Sequence, residues 1–328
     1  MAAAAPRRIG VFSHQEVIGD GLYKVVFLRA LRHAFPTAEL TWMTTRDTVF
    51  ARTLSPVTAP LLDHVVEHCG IGAKPAALLR RPPALGPFDL LIDTQALLWR
   101  TLQAWRVPHR RFLSAAFLRH GLGRGPIGLH SLDRLFALLE AATGAPAARD
   151  LSPLILPAEI TAAAAAALPG GVSRIALAPG AGGVEKCWPL ERFIALARIQ
   201  AERGRQPVFL LGPQESEWRA RIVAEVPGAL FPEDHPAFAG TIRGPLRAVA
   251  VAARCAVGVA NDAGPGHMIA ASGAALLSLF GPTSPAKFRP VAARSAVLRA
   301  QEHGGREMAA IPLGAAAAAL ETLLAAEG

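Results

Sequence analysis

The feature that most constrains this chain is a rhythm in which short apolar runs alternate with helix-patterned segments, played through twice. Ile9-Gly10-Val11-Phe12-Ser13 is an apolar run that ends in a polar loop and Gly19-Asp20-Gly21, which reads as strand then turn. Leu22, Val25, Val26 and Arg29 follow at helical spacing, and Leu40-Thr41-Trp42-Met43, Val65-Val66 and Leu90-Leu91-Ile92 read as further strands. The second half repeats the series, with strands predicted at Arg174 to Leu177, Val208 to Leu211, Ala256 to Ala260 and Leu276 to Phe280. Between them, Leu190, Phe193, Ile194 and Ala197 lie on one helical face just after Trp188-Pro189, with proline suited to a helix entrance. Short apolar strands alternating with helices imply parallel sheets covered on both faces. The expected class is therefore α/β, with two doubly wound domains. Prolines, the alanine run Ala162 to Ala167 and Leu168-Pro169-Gly170-Gly171 interrupt the pattern, which places an amino-terminal domain at 1–155, a linker at 156–172 and a carboxyl-terminal domain at 173–328.

Bulk properties narrow the function. With 328 residues, 52% of them hydrophobic, the chain can bury a sizeable core, although alanine inflates that figure. A net charge of +9 calls for an acidic partner: nucleic acid, an anionic membrane face or a phosphorylated substrate. Cys69, Cys187 and Cys255 are too scattered for a disulfide framework or a paired-cysteine zinc site. No long apolar run or signal core occurs, so a cytoplasmic protein is expected. His64-Val65-Val66-Glu67-His68 matches an inverted zinc-protease pattern, but its paired valines and the following Cys69-Gly70 suit a short strand. Gly121-Leu122-Gly123-Arg124-Gly125 follows no clear strand and reads as a plain loop, not a dinucleotide fingerprint.

Three loops carry the chemistry. Ala178-Pro179-Gly180-Ala181-Gly182-Gly183 follows a strand, and Glu185-Lys186-Cys187-Trp188-Pro189 leads into a helix. Glycines let backbone amides approach an anion, and Lys186 would favour a phosphate; an ordinary flexible connection fits equally well. Asn261-Asp262-Ala263-Gly264-Pro265-Gly266-His267 lies between a strand and a helix, and Phe280-Gly281-Pro282-Thr283 leaves the next strand. Asp262 or Thr283 could instead cap helices, and His267 could sit in a satisfied packing site.

Taken together, Pro179-Gly180, Lys186-Cys187-Trp188-Pro189, Asn261-Asp262-Ala263-Gly264-Pro265-Gly266-His267 and Phe280-Gly281-Pro282-Thr283 resemble, in order, the motifs of glycosyltransferase family 9. That family is typified by enzymes that move heptose from ADP-heptose onto the lipopolysaccharide inner core. The amino-terminal half resembles it too, through Gly19-Asp20, Phe27 to Pro36 and Asp89 to Gln95, but Ser13 to Ile18 replaces its small, glycine-rich first loop. The resemblance implies the GT-B architecture, two Rossmann-like domains facing a central cleft, and a cytoplasmic enzyme, peripheral on the inner membrane.

It also implies roles. Asp20 matches the catalytic aspartate as base for the acceptor hydroxyl, with Glu16 and His14 in reserve; otherwise Asp20 is a helix cap. Lys186, loop amides near Gly180 and Gly264, and Thr283 would steady the departing diphosphate, while Asp262 and His267 position the donor. Glu215 stands where a carboxylate could bind ribose hydroxyls, in competition with Glu217 or a solvated helix start. A single displacement inverts the anomeric carbon and needs only one catalytic carboxylate. The chain has no Asp-x-Asp sequence, so no metal or other cofactor is expected. The alternatives are a family relative using another nucleotide sugar for capsule or O-antigen synthesis, or a non-catalytic nucleotide- or nucleic-acid-binding protein on this scaffold. No nucleic acid is expected as partner of the transferase.

Arg100, Arg106, His109, Arg110, Arg111, Arg119, His120 and Arg124, interleaved with Trp99, Trp105, Phe112 and Phe117, form a basic, aromatic-rich stretch. With the family's acceptor on this half, Arg110 and Arg111 are expected to bind an acidic glycolipid at an anionic inner-membrane surface; the other reading is a solvated face.

Overall fold

The computed structural model describes residues 5–72, 74–79, 84–119, 130–241 and 244–326. His120, Gly121 to Gly125 and Arg124 lie outside them. The chain divides into two compact units, Met1–Asp150 and Leu151–Gly328.

In the first unit the strands are β1 (Arg8–Ser13), β2 (Glu39–Thr44), β3 (His64–Val66), β4 (Phe88–Asp93) and β5 (His109–Ser114). They pair in parallel in the order β3-β2-β1-β4-β5, so the strand order reverses between β1 and β4. Helices α1 (Ile18–Ala34), α2 (Ser55–Thr58), α3 (Leu98–Trp105), α4 (Ala115–Arg119) and α5 (Ser131–Thr143) connect and cover them. Ile9 to Ser13 and Leu90 to Asp93 are buried throughout, as expected of strands covered on both faces. His64 to Val66 is a strand, which agrees with the reading against a zinc helix.

In the second unit, β6 (Arg174–Ala178), β7 (Gln206–Phe209), β8 (Val257–Asn261), β9 (Ala275–Phe280) and β10 (Ser295–Arg299) form a parallel sheet ordered β10-β9-β8-β6-β7. Its helices are α6 (Ala158–Ala167), α7 (Leu190–Glu202), α8 (Trp218–Glu225), α9 (Pro245–Ala252), α10 (Gly264–Ser272), α11 (Pro285–Phe288) and α12 (Leu313–Ala325). Leu177, Trp188, Phe193, Val259, Leu277 and Leu320 pack in its core. Both units are thus doubly wound α/β.

Two local expectations change. Helix α1 begins at Ile18, not at Leu22, so Gly19-Asp20-Gly21 is helical and not a turn. Gly21 serves close packing: a Cβ there would come within 2.5 Å of Val49 and 2.8 Å of Leu54. The stretch expected to link the domains contains α6, whose Ile160, Ala163 and Ala164 are buried in the second unit. Its alanines allow close packing against α9, and strong helix propensity favours that outcome.

Candidate functional site

In the second unit, loops leaving four adjacent strands converge. Asn261, at the end of β8 and 1% exposed, is the strut: its Oδ1 accepts from the Trp188 amide at 3.0 Å, and its Nδ2 donates to the Pro179 carbonyl at 2.7 Å. This holds the loop after β6 against β8. Trp188 itself is a core anchor, edge-on to Phe193, with its indole N–H donating to the Ile311 carbonyl at 3.0 Å. Glu215 is buried on the loop after β7, its carboxylate laid directly over Gly180 and Gly212 where any Cβ would collide. The Thr283 hydroxyl, on the loop after β9, donates to Asp262 at 2.5 Å. Burial raises the Asp262 pKa, against the opposing pull of Thr283 and the Lys186 charge. Gly264 opens α10 and His267 lies in its first turn. Beside Gly212, a cavity of about 390 Å³ is lined by Phe209, Pro213, Phe231, Glu233 and Arg247. Phe209 and Phe231 stack at 5.9 Å between centroids. Burial, then the charge of Asp234, push the Glu233 pKa up to about 7.

In the first unit, Asp20 occupies the first turn of α1, half-exposed, where the sequence predicts a turn before the helix. The Tyr23 hydroxyl hydrogen-bonds to it; burial and the Asp20 charge raise the pKa of that phenol. Glu16 is sealed, 2% exposed. Its Oε1 meets Lys24 Nζ at 2.8 Å and its Oε2 accepts from Trp42 at 3.2 Å and Thr48 at 2.5 Å. Burial would raise the Glu16 pKa, but Lys24 with the Ser13 and Thr48 hydrogen bonds holds it below the usual range. Both its oxygens are occupied, so Glu16 is no reserve base.

Loops after β1 and β2 and helix α3 after β4 bring His14, Arg46 and Arg100 together beside the point where the strand order reverses, the usual ligand position in such sheets. Arg100 donates to His14 Nε2 at 3.2 Å, which leaves the proton on Nδ1. That Nδ1 and Arg100 Nε are buried without a hydrogen-bond partner among the described residues. Burial lowers the His14 pKa, and Arg100 and Arg46 lower it further; burial and Arg46 also lower that of Arg100. Arg46 and Arg100 are thus two repelling positive charges set beside a neutral His14.

The family description "Glycosyltransferase family 9 (heptosyltransferase)" matches residues 96–310. The chain belongs to glycosyltransferase family 9. Three solved structures share its fold. A family 9 glycosyl transferase from Veillonella parvula DSM 2008 is 22% identical with a TM-score of 0.73, covering 98% of each chain. E. coli ADP-heptose lps heptosyltransferase II is 19% identical with a TM-score of 0.66, over 98% of this chain and 99% of that one. E. coli heptosyltransferase WaaC with ADP is 17% identical with a TM-score of 0.66, over 96% and 99%. No curated protein matches in sequence.

For this family 9 glycosyltransferase, the structure gathers Gly180, Lys186, Glu215, Asp262 and Thr283 on loops, and Gly264 and His267 at the start of α10, all beyond the carboxyl ends of β6 to β9. It separates Arg110 and Arg111 from that kind of position. Both stand near the start of β5, where His109 pairs with Phe88 at the start of β4. They are three to four residues, roughly 10–13 Å, from the carboxyl edge. Arg110 lies 3.5 Å from Asp89, and Arg111 donates to the Ala141 and Ala142 carbonyls. Sequence reading missed β5, so the orientation of this stretch was hidden. It also missed the basic trio, which a census of the first basic residue after each of β1, β2 and β4 would have found.

Buried Asp93 ends β4 and ties three segments together. Its carboxylate accepts from the Gln95 amide at 2.9 Å, Thr101 at 2.6 Å and Ser114 at 2.7 Å. Burial raises its pKa to about 6 despite those hydrogen bonds. Because the folded value is raised, its contribution to stability is present in full below about pH 4 and lost as pH rises through about 6. Urea unfolding should register about 3 kcal/mol lost to this group between those limits. Asp93→Asn, which cannot ionise, should flatten that part of the profile; identical slopes in both proteins would refute the assignment.

Proposed function

We propose that this family 9 enzyme transfers heptose from ADP-heptose, with inversion, to an acidic glycolipid of the lipopolysaccharide inner core. The observation that carries the reading is the convergence of Glu215, Lys186 and the Asp262–Thr283 pair around one glycine loop. Glu215 binds the ribose hydroxyls, and the aromatic cavity beside Gly212 seats the nucleobase. Lys186, amides of the loop at Gly180 and the amino end of α10 at Gly264 steady the diphosphate as it leaves, while Asp262, Thr283 and His267 position the donor. One of the WaaC structures holds ADP-2-deoxy-2-fluoro heptose, which supports a nucleotide-sugar donor here.

Asp20 removes the proton from the acceptor hydroxyl as it attacks the anomeric carbon, and the nucleoside diphosphate departs from the opposite face. The acceptor's acidic group binds Arg46 and Arg100, whose mutual repulsion an anion relieves, and accepts from His14 Nδ1. That trio replaces Arg110 and Arg111 in the sugar-binding role, since they stand at the other edge of the sheet.

The test offers ADP-, GDP- and UDP-sugars with a delipidated inner-core oligosaccharide and reads product anomeric configuration by NMR. Inverted heptosyl product from ADP-heptose alone is expected. Turnover only with another nucleotide sugar would assign the enzyme to capsule or O-antigen synthesis. Ligand-induced stabilisation with no sugar released from any donor would overturn the catalytic reading.

A further inference from the structure

Helix α3 presents an apolar face to solvent. Leu98, Leu102 and Trp105 are spaced four and three residues apart, so they stack along one side of the helix. They are 50%, 49% and 56% exposed, whereas Gln103 and Ala104, turned away from the stripe, are buried. A 3-10 turn at Pro75–Leu79 runs alongside: the Lys74 carbonyl accepts from Gln103 and the Leu78 carbonyl from Arg106. Leu79, at its end, is 92% exposed. A Leu–Leu–Trp stripe in water is a standing loss of hydrophobic free energy unless something covers it.

Charge says what covers it. From 94 to 132 the chain carries six arginines and neither aspartate nor glutamate, although it has 25 acidic residues in all. Trp105, at the far end of the stripe, lies edge-on to His109 at 6.4 Å, and Arg110 follows with its side chain 85% exposed. Lys74 is exposed on the flank. Among the described residues no helix is long and apolar enough to cross a membrane, so contact would be with a surface. An apolar stripe ending in tryptophan and flanked by exposed cations is the pattern of an interfacial helix on anionic lipid.

We propose that the Leu98–Leu102–Trp105 face of α3, with Arg110 beside it, docks on an anionic bilayer surface. The proposal rests on the reading of a lipid-borne acceptor and adds where the lipid lies. Arg100, in the basic trio, belongs to the same helix, so docking α3 brings the acceptor-binding loop to the membrane. This gives Arg110, one of the two arginines placed away from the sugar site, a role at the lipid.

The test sediments the full chain with vesicles of phosphatidylcholine alone or with phosphatidylglycerol added, free of donor and acceptor. Wild type should bind the anionic vesicles. Leu102→Gln with Trp105→Gln should weaken binding roughly tenfold or more, and Arg110→Gln roughly fivefold. Transfer to a delipidated acceptor, measured in parallel, should be unchanged in both variants, which also shows that they fold. Vesicle binding equal in wild type and variants would overturn the docking face and leave the transferase reading intact. Absence of transfer in wild type with binding retained would overturn the transferase reading instead. Self-association of wild type without lipid, abolished in the double variant, would assign the stripe to a second copy and overturn the proposal.

Discussion

Asp20→Asn is expected to lower turnover by roughly 10²–10⁴-fold, the usual effect of losing a general base, while donor affinity stays near that of wild type. Asparagine keeps the shape of the side chain and an oxygen to accept from the Tyr23 hydroxyl, so the first turn of α1 should survive. What it loses is the carboxylate's negative charge and the basicity that takes the acceptor's proton. Glu16 cannot substitute, because Lys24, Trp42 and Thr48 occupy both its oxygens. The competing account makes Asp20 a favourable charge at a helix amino end, worth about 0.3–1 kcal/mol of stability and nothing in rate. Steady-state kinetics with calorimetric donor binding separate the two. Wild-type turnover with a slightly lower melting temperature would remove Asp20 from the mechanism.

Much of this was legible because buried parallel strands announce themselves. Val11, Leu91, Val259 and Leu277 sit in buried, mostly apolar runs. The two strands that sequence reading missed, β5 and β10, are the edges of their sheets. An edge strand is half-solvated, so His109 to Ser114 could read as a basic surface stretch, and Ser295 to Arg299 showed no clear apolar run. Missing β5 had a functional consequence, for it is the register of β5 on β4 that puts Arg110 and Arg111 at the amino edge. The donor-side residues were found because their motifs are contiguous. The His14–Arg46–Arg100 trio comes from two loops and helix α3, and only the strand order that sets β1 between β2 and β4 brings it together.

Lys186→Ala is expected to weaken donor binding and to lower kcat/KM by roughly 10²–10³-fold, comparable to removing one preorganised donor from a site of developing charge. Lys186 ends the short 3-10 turn Val184–Lys186, held by its own amide donating to the Gly183 carbonyl at 3.0 Å and by the Cys187 amide donating to Val184 at 3.0 Å. The turn is anchored next to Trp188, in the core, so the ammonium is half-buried at a fixed place. There its attraction for a diphosphate is less screened than at an open surface. The leaving group gains charge as the glycosidic bond breaks, so the lysine helps the transition state more than the bound donor, and kcat should fall along with affinity. Lys186→Arg keeps the charge but spreads it over a planar fork, and should recover only part of the rate. A chelator should leave wild-type activity intact if this cation and the loop amides do the electrostatic work. Complete inhibition by the chelator, reversed by added divalent metal, would transfer that work to a metal ion; a Lys186→Ala enzyme with raised KM and unchanged kcat would confine the lysine to ground-state binding.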